Sequence, residues 1–250
     1  MGAHVLHILC LGLNHQTASV TLREQLAFTP TRLEISLARL GCGTGEGYHQ
    51  IREMVILSTC NRVELYAVTT NPSFDPLEAF LSETQNVPIF DFSSYVYRLK
   101  NDVAVKHLLD VAAGLDSIVI GEPQILGQVT DAYSAARQQG TSGKILSRLF
   151  QTAIHAGKRA RTETTIAHNP ASISSVAVNL ISEVVSDLPT AQIMVLGAGE
   201  MAELAVEALR KRGTERITVV NRTLQRAQEL ARRWDCLLYT SDAADELRSV

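Results

Sequence analysis

No apolar run in this 250-residue chain approaches the ~18 residues that a membrane-spanning helix requires, so no segment reads as a span. The N-terminal stretch MGAHVLHILCLGLNH is apolar but short. It lacks both a basic leader and a small-residue cleavage site, and so reads as a first β-strand. Cysteine is scarce: the four, at positions 10, 42, 60 and 236, form no C-x-x-C pair and no metal-ligand spacing. Reduced thiols in the cytoplasm and no metal site are the expectation. An excess of basic charge is missing too. The net charge of −3 argues against a protein that holds nucleic acid by bulk electrostatics, while a local basic face stays open. With 46% hydrophobic and 20% charged residues, the chain is rich enough to fold around a packed core.

Periodicity divides the chain. Strand-like alternation covers His4–Asn14, Met54–Thr59, Val63–Thr69 and Tyr95–Leu99. Helical spacing covers Thr21–Phe28, Pro30–Leu40 and Pro76–Glu83. The order β-α-β-β-α-β is that of an α+β ferredoxin-like sandwich. Added helices follow at Asp102–Ala113, Pro123–Gln139 and Lys144–Thr164. Residues 1–160 therefore read as one domain and 161–171 as a linker, with the polar break Thr164–Pro170 inside it. From 172 to 235 the pattern becomes an amphipathic helix (Ser172–Ser186), a buried strand (Ala191–Leu196), a turn and helix (Gly197–Lys211), a strand (Arg216–Val220) and a helix (Thr223–Arg233). This is the opening of an α/β doubly wound, Rossmann-type sheet, with too few strands to cover both faces. Residues 236–250 continue no periodic pattern. The run from Cys236 to Glu246 resembles the translation of a sequencing adapter, so native sequence is expected to end near Asp235.

Three constellations carry chemistry. In Ser58-Thr59-Cys60-Asn61-Arg62 a cysteine sits in a polar turn between two strands, with an arginine two residues on. A thiol presented this way is accessible. The guanidinium favours its thiolate or grips a substrate carboxylate. A half-buried hairpin cysteine beside a surface arginine is the plain alternative. Second, Gly197-Ala198-Gly199-Glu200-Met201-Ala202 is a G-x-G-x-x-A turn between an apolar strand and a helix, where backbone can approach a pyrophosphate. At the end of the next strand stand Asn221, Arg222 and Thr223. The acid that would read a ribose 2′-hydroxyl is missing and an arginine is present, which favours NADPH over NADH. Third, His107, Ser117, Glu122, Gln124 and Gln128 cluster at helix ends and loops, as a small polar ligand would require, although capping explains Ser117 and Glu122 equally well.

GLNHQTA (12–18), LREQLAF (22–28), STCNRVELY (58–66), GLDSIVIGEPQILGQV (114–129), GKRARTET (157–164) and VLGAGEMAELA (195–205) together resemble the glutamyl-tRNA reductase family, in its order and spacing, from Ile8 to Asp235. The resemblance implies an NADPH-dependent reduction of glutamyl-tRNA to glutamate-1-semialdehyde, the entry to tetrapyrroles. Cys60 would be the nucleophile that forms a thioester, and His107 a residue important for activity. Thr59, Asn61, Arg62, Ser117, Glu122, Pro123, Gln124 and Gln128 would form the substrate pocket, with Arg62 on the α-carboxylate, and residues 197–202 the cofactor loop. It also implies a homodimer in the full-length form, through a helical domain not present here, and glutamate-1-semialdehyde aminomutase as a candidate partner. The helix with Arg148, Lys158, Arg159 and Arg161 is a candidate tRNA-facing surface. Two other classes remain open: another cysteine-dependent semialdehyde dehydrogenase, which would place its cofactor domain before the cysteine, and a non-catalytic regulatory paralogue, which would not need Cys60 and Arg62.

Overall fold

The structure is a computed structural model that describes residues 5–41, 48–167, 173–185 and 187–239. The chain divides into two compact units, residues 1–170 and 171–250.

The first unit is built on strands β1 (His7–Asn14), β2 (Ile51–Ser58), β3 (Arg62–Thr69) and β4 (Tyr97–Lys100). They lie in the order β2-β3-β1-β4, and each neighbouring pair is antiparallel. That is the ferredoxin-like sheet the β-α-β-β-α-β order predicts. Helices α1 (Val20–Leu26) and α2 (Pro30–Gly41) form the first crossover. α3 (Asp75–Gln85) and the short α4 (Ile89–Phe92) form the second. The sequence pattern did not predict α4, whose single turn is too short to show a helical period. Then come α5 (Asp102–Ala113), α6 (Gln124–Gln138) and α7 (Lys144–Glu163), which pack on one another and on β1, β2 and β3.

All eight residues of β3 are buried, so the sheet is covered on both faces. Alternation along β3 sends Arg62, Glu64 and Tyr66 to one face. Tyr66 meets Phe150 of α7 edge to face there, with ring centres 5.4 Å apart. This face, under α5–α7, is therefore where polar side chains enter an otherwise apolar core. Gly12, opposite Glu64 in the ladder, makes room for them. A Cβ at Gly12 would come within 2.7 Å of the Tyr97 ring and 2.8 Å of the Glu64 side chain. The start of α7 is held by Glu53 of β2, whose carboxylate accepts from the Ile145 and Leu146 amides at 3.1 and 2.7 Å. These donors have no partner within their helix.

The second unit holds α8 (Ile173–Val184), β5 (Gln192–Leu196), α9 (Glu200–Lys211), β6 (Arg216–Val220), α10 (Leu224–Trp234) and β7 (Leu237–Tyr239). Its strands are parallel in the order β5-β6-β7. Two sequence expectations need correcting. β5 is not buried throughout: Met194 is 62% and Leu196 77% exposed, because alternate residues of β5 lie on a sheet face that the described residues leave open. Leu237–Tyr239, expected to form no regular element, is a third strand. Its apolar and aromatic residues suit a pleated strand and pair with the free side of β6. The remainder of the adapter-like run lies outside the described residues.

Candidate active site

The turn between β2 and β3 is closed by its own residues. The Thr59 amide donates to the Arg62 carbonyl at 2.8 Å, and the Thr59 hydroxyl oxygen accepts from the Asn61 and Arg62 amides, both at 3.1 Å. This leaves Cys60 exposed at the tip. Arg23 of α1, itself buried, reaches across and donates from Nη1 to the Cys60 carbonyl at 3.1 Å and to Asn61 Oδ1 at 3.3 Å.

Arg62, expected to grip a substrate carboxylate, lies beneath the turn. It is 1% exposed, and its guanidinium is already engaged. Nη1 meets Glu64 Oε1 at 2.7 Å and Asp116 Oδ2 at 2.9 Å, and Nη2 donates to the Asp116 carbonyl. Its place at the first position of a strand buried on both faces explains this: the side chain points into the sheet–helix layer, where only paired charge is tolerated. In this structure Arg62 organises the site from beneath.

Glu64 is the hub. Oε1 accepts from Arg62, from the Tyr97 hydroxyl at 2.5 Å and from His107 Nε2 at 2.9 Å. Oε2 accepts from the Tyr66 hydroxyl at 2.6 Å. Burial pushes the Glu64 carboxyl up, but Arg62, His107 and Tyr66 outweigh it and hold its pKa down to about 2. Burial and this carboxylate push the Tyr66 and Tyr97 hydroxyls well up, so both remain neutral donors. Burial, reinforced by Glu64, likewise pushes the Cys10 thiol well up. Cys10, Glu64 and His107 place potential ligand atoms within 4.8 Å of one another. Both Glu64 oxygens accept hydrogen bonds from Arg62, Tyr97, His107 and Tyr66, so the carboxylate is the centre of a hydrogen-bond network.

Asp116 lies in the loop after α5, which is pinned at both ends. Gly114 and Gly121 both adopt positive φ, and the Gly121 amide donates to the Gly114 carbonyl at 2.9 Å. Arg161 of α7 donates to the carbonyls of Ala112 at 2.9 Å and Glu122 at 2.9 Å. Arg161 is therefore a brace for this loop rather than part of a tRNA-facing surface, whereas Arg148, Lys158 and Arg159 are exposed and Arg159 pairs with Glu163. The structure brings Thr59, Cys60, Asn61, Arg62 and His107 into one network. Ser117 is half-buried beside Asp116, Glu122 is buried, Pro123 is exposed, and Gln124 opens α6. Gln128 lines a cavity of about 320 Å³ with Phe28, Leu33, Ile56 and Ser58, the residue next to Thr59. Asn14, Arg23, Glu64, Tyr97 and Asp116 are the site residues that the sequence analysis did not single out. Asn14 Nδ2 donates to Asp116 Oδ2 at 3.4 Å.

In the second unit, Gly197 follows β5 with φ of +111°, and its amide donates to the Val220 carbonyl at 2.7 Å. Gly199 is the N-cap of α9 in extended conformation, and an added Cβ at either glycine would meet nothing within 4 Å. Ala198 and Ala202 are half-buried against this unit's core, with Glu200 and Met201 opening the helix. The open turn and the helix N-terminus fit a dinucleotide pyrophosphate. Asn221, Arg222 and Thr223 follow β6, with Asn221 Nδ2 donating to the Thr223 carbonyl at 2.9 Å and Arg222 exposed. These residues fit a nicotinamide nucleotide.

An exposed cysteine on a ferredoxin-like sheet in one unit and a nucleotide-type turn in the other define a chain with a candidate nucleophile and a candidate dinucleotide site. Comparison narrows the class. The family description "Glutamyl-tRNAGlu reductase, N-terminal domain" matches residues 11–164, and "Shikimate / quinate 5-dehydrogenase" matches 179–250. The chain is 44% identical over 240 residues to a glutamyl-tRNA reductase of Pseudomonas fluorescens, covering 96% of this chain and 55% of that protein. It is 45% identical over 223 residues to one of Pseudomonas savastanoi, covering 89% and 51%. The solved glutamyl-tRNA reductase from Methanopyrus kandleri superposes with a TM-score of 0.60 at 32% identity, over 95% of this chain and 55% of that one. The chain belongs to the glutamyl-tRNA reductase family. It spans about half the length of the curated relatives it matches.

Proposed function

We propose that this chain carries the thiol chemistry of glutamyl-tRNA reduction, with Cys60 as nucleophile. The observation that carries the reading is that, among the described cysteines, Cys60 alone is exposed, while burial pushes the Cys10 and Cys236 thiols up. A thiolate is the reactive form, so an accessible turn suits the role and a buried strand does not. The Cys60 sulphur attacks the ester carbonyl joining glutamate to the terminal ribose of tRNA. A carbon–sulphur bond forms, the carbon–oxygen bond breaks, and the ribose oxygen leaves with a proton. Glu64 is ionised, so the His107 Nε2 that faces it carries the hydrogen, and Nδ1 is the atom through which His107 exchanges a proton at the substrate. Thr59, Asn61, Ser117, Glu122, Pro123, Gln124 and Gln128 surround the glutamyl group, and Arg62 fixes the frame beneath it.

NADPH, held by residues 197–202 with Arg222 on its 2′-phosphate, would supply the hydride that reduces the thioester carbonyl and frees glutamate-1-semialdehyde, the first step towards tetrapyrroles. That product is a reactive amino aldehyde, which favours direct transfer to glutamate-1-semialdehyde aminomutase as partner. A homodimer of the full-length form and a cytoplasmic location complete the proposal. No described helix is long and apolar enough to cross a membrane. The test is release of free tRNA from glutamyl-tRNA by the 250-residue chain. Wild type should deacylate it and Cys60→Ser should not, since a serine hydroxyl ionises far less readily than a thiol at neutral pH. Equal release by both would remove Cys60 from the mechanism.

A further inference from the structure

We propose that Arg23, and not Arg62, is the positioning residue of the Cys60 turn and the cation whose charge favours the Cys60 thiolate. The proposal rests on the reading of Cys60 as the nucleophile. Two buried arginines flank the turn, and their charges are treated differently. Arg62 is matched by two carboxylates, Glu64 and Asp116. Arg23 is 8% exposed, and among the described residues no carboxylate lies within ion-pair distance of it. Its Nη1 donates to the Cys60 carbonyl and to Asn61 Oδ1, and its Nε is buried without a partner.

A buried cation with no counter-ion is costly, so Arg23 is poorly explained as a contributor to stability. What its placement does provide is positive charge at the cysteine. The carbonyl and sulphur of one residue are a few bonds apart, so the Arg23 charge lies within roughly 7 Å of the thiol. The groups facing the turn are Arg23 on α1, His15 in the loop after β1, Arg62 and Glu64 on β3, His107 on α5 and Asp116 in the loop after it. Glu64 and Asp116 are engaged by Arg62, whereas Arg23 is the cation that hydrogen-bonds the backbone of the cysteine itself. Burial and then the charge of Arg62 lower the His15 pKa, and Arg23 adds to this against the opposing pull of Asp116.

The experiment follows alkylation of Cys60 by iodoacetamide against pH in the 250-residue chain, resolved by mass spectrometry of the peptide containing it. Arg23→Gln keeps a hydrogen-bond donor and loses the charge. Its profile should move up by about one pH unit, with the rate at neutral pH falling several-fold towards tenfold. Arg23→Lys should stay within a few tenths of a unit of wild type, and so should Arg32→Gln at an exposed site. A merely structural brace would not move the midpoint. If Arg23→Gln does not fold, Arg23→Met, whose stem fills similar space, takes its place. Coincident profiles for the neutral variant and wild type overturn the proposal, as does a lysine variant that shifts as far as the glutamine one. If the enzymatic reading alone fails, the alkylation shift persists while glutamyl-tRNA is left intact. If this proposal alone fails, deacylation proceeds with one pH dependence in wild type and variant.

Discussion

The two units treat apolar surface and charge in opposite ways. In the first, β3 is buried along its whole length, and the covered layer above it holds an ion network of Arg62, Glu64 and Asp116. In the second, β5 alternates between half-buried and exposed, and Leu180, Val184, Met194 and Leu196 are all more than half exposed. The three described strands of the second unit are too few to cover both faces of their sheet, and the two candidate sites also differ in what they require. A network that must fix a cysteine turn and a histidine gains from low dielectric, where each charge-assisted bond is stronger and each unpaired group is penalised. A nucleotide loop needs close approach of backbone to a phosphate, which Gly197 and Gly199 give without burial.

The contrast can be broken most forcefully at Glu64. Glu64→Gln leaves Arg62 short of a carboxylate and should cost the first unit about 3–5 kcal/mol. The protein's single tryptophan, Trp234, lies in the second unit. Trp fluorescence should therefore keep its urea midpoint while the far-ultraviolet dichroism transition of the first unit moves down. Movement of both together would show that the units do not unfold independently.

Acid should separate the units for the same reason. The folded pKa of Glu64 is about 2, below its unfolded value near 4.5, so its contribution is fully present above about pH 4.5 and is lost as pH falls towards 2. The loss amounts to about 3 kcal/mol. Stability of the first unit measured from pH 6 to 2 should fall in that window, and a flat profile would contradict the ionised hub. A smaller effect is expected at Arg222: Arg222→Ala should weaken NADPH binding by about tenfold and leave NADH unchanged, as read by nucleotide titration. Equal losses would show that this side chain does not read the 2′-phosphate. Smallest of all, Leu196→Ala should cost under about 0.5 kcal/mol, because its side chain is 77% exposed. A core-sized loss would mean that β5 is covered after all.

Much of this architecture was legible in the sequence because it depends on local period. The strand and helix pattern of the first unit, the cysteine between two strands and the glycine turn after β5 all follow from residue order. The role of Arg62 did not, because its partners come from elsewhere: Asp116 is 54 residues away, in a loop whose path is set by Gly114, Gly121 and Arg161. A partial signal was present in Arg62-Val63-Glu64-Leu65-Tyr66. Three polar or amphipathic side chains at alternate positions of a buried strand must share one face and find partners there. Arg23 offered no such signal, since on α1 it looks like any surface arginine of an amphipathic helix. β7 was missed because three residues are too few to show a period.

The central claim is that acyl transfer takes place at Cys60 in the first unit. It is tested most directly by incubating the chain with glutamyl-tRNA without nucleotide, quenching in acid and locating the glutamyl group by peptide mass spectrometry. The account predicts the group on Cys60, removable by hydroxylamine as a thioester should be, and on none of Cys10, Cys42 or Cys236. A glutamyl group on another cysteine, or none on Cys60 while glutamyl-tRNA is consumed, would contradict it.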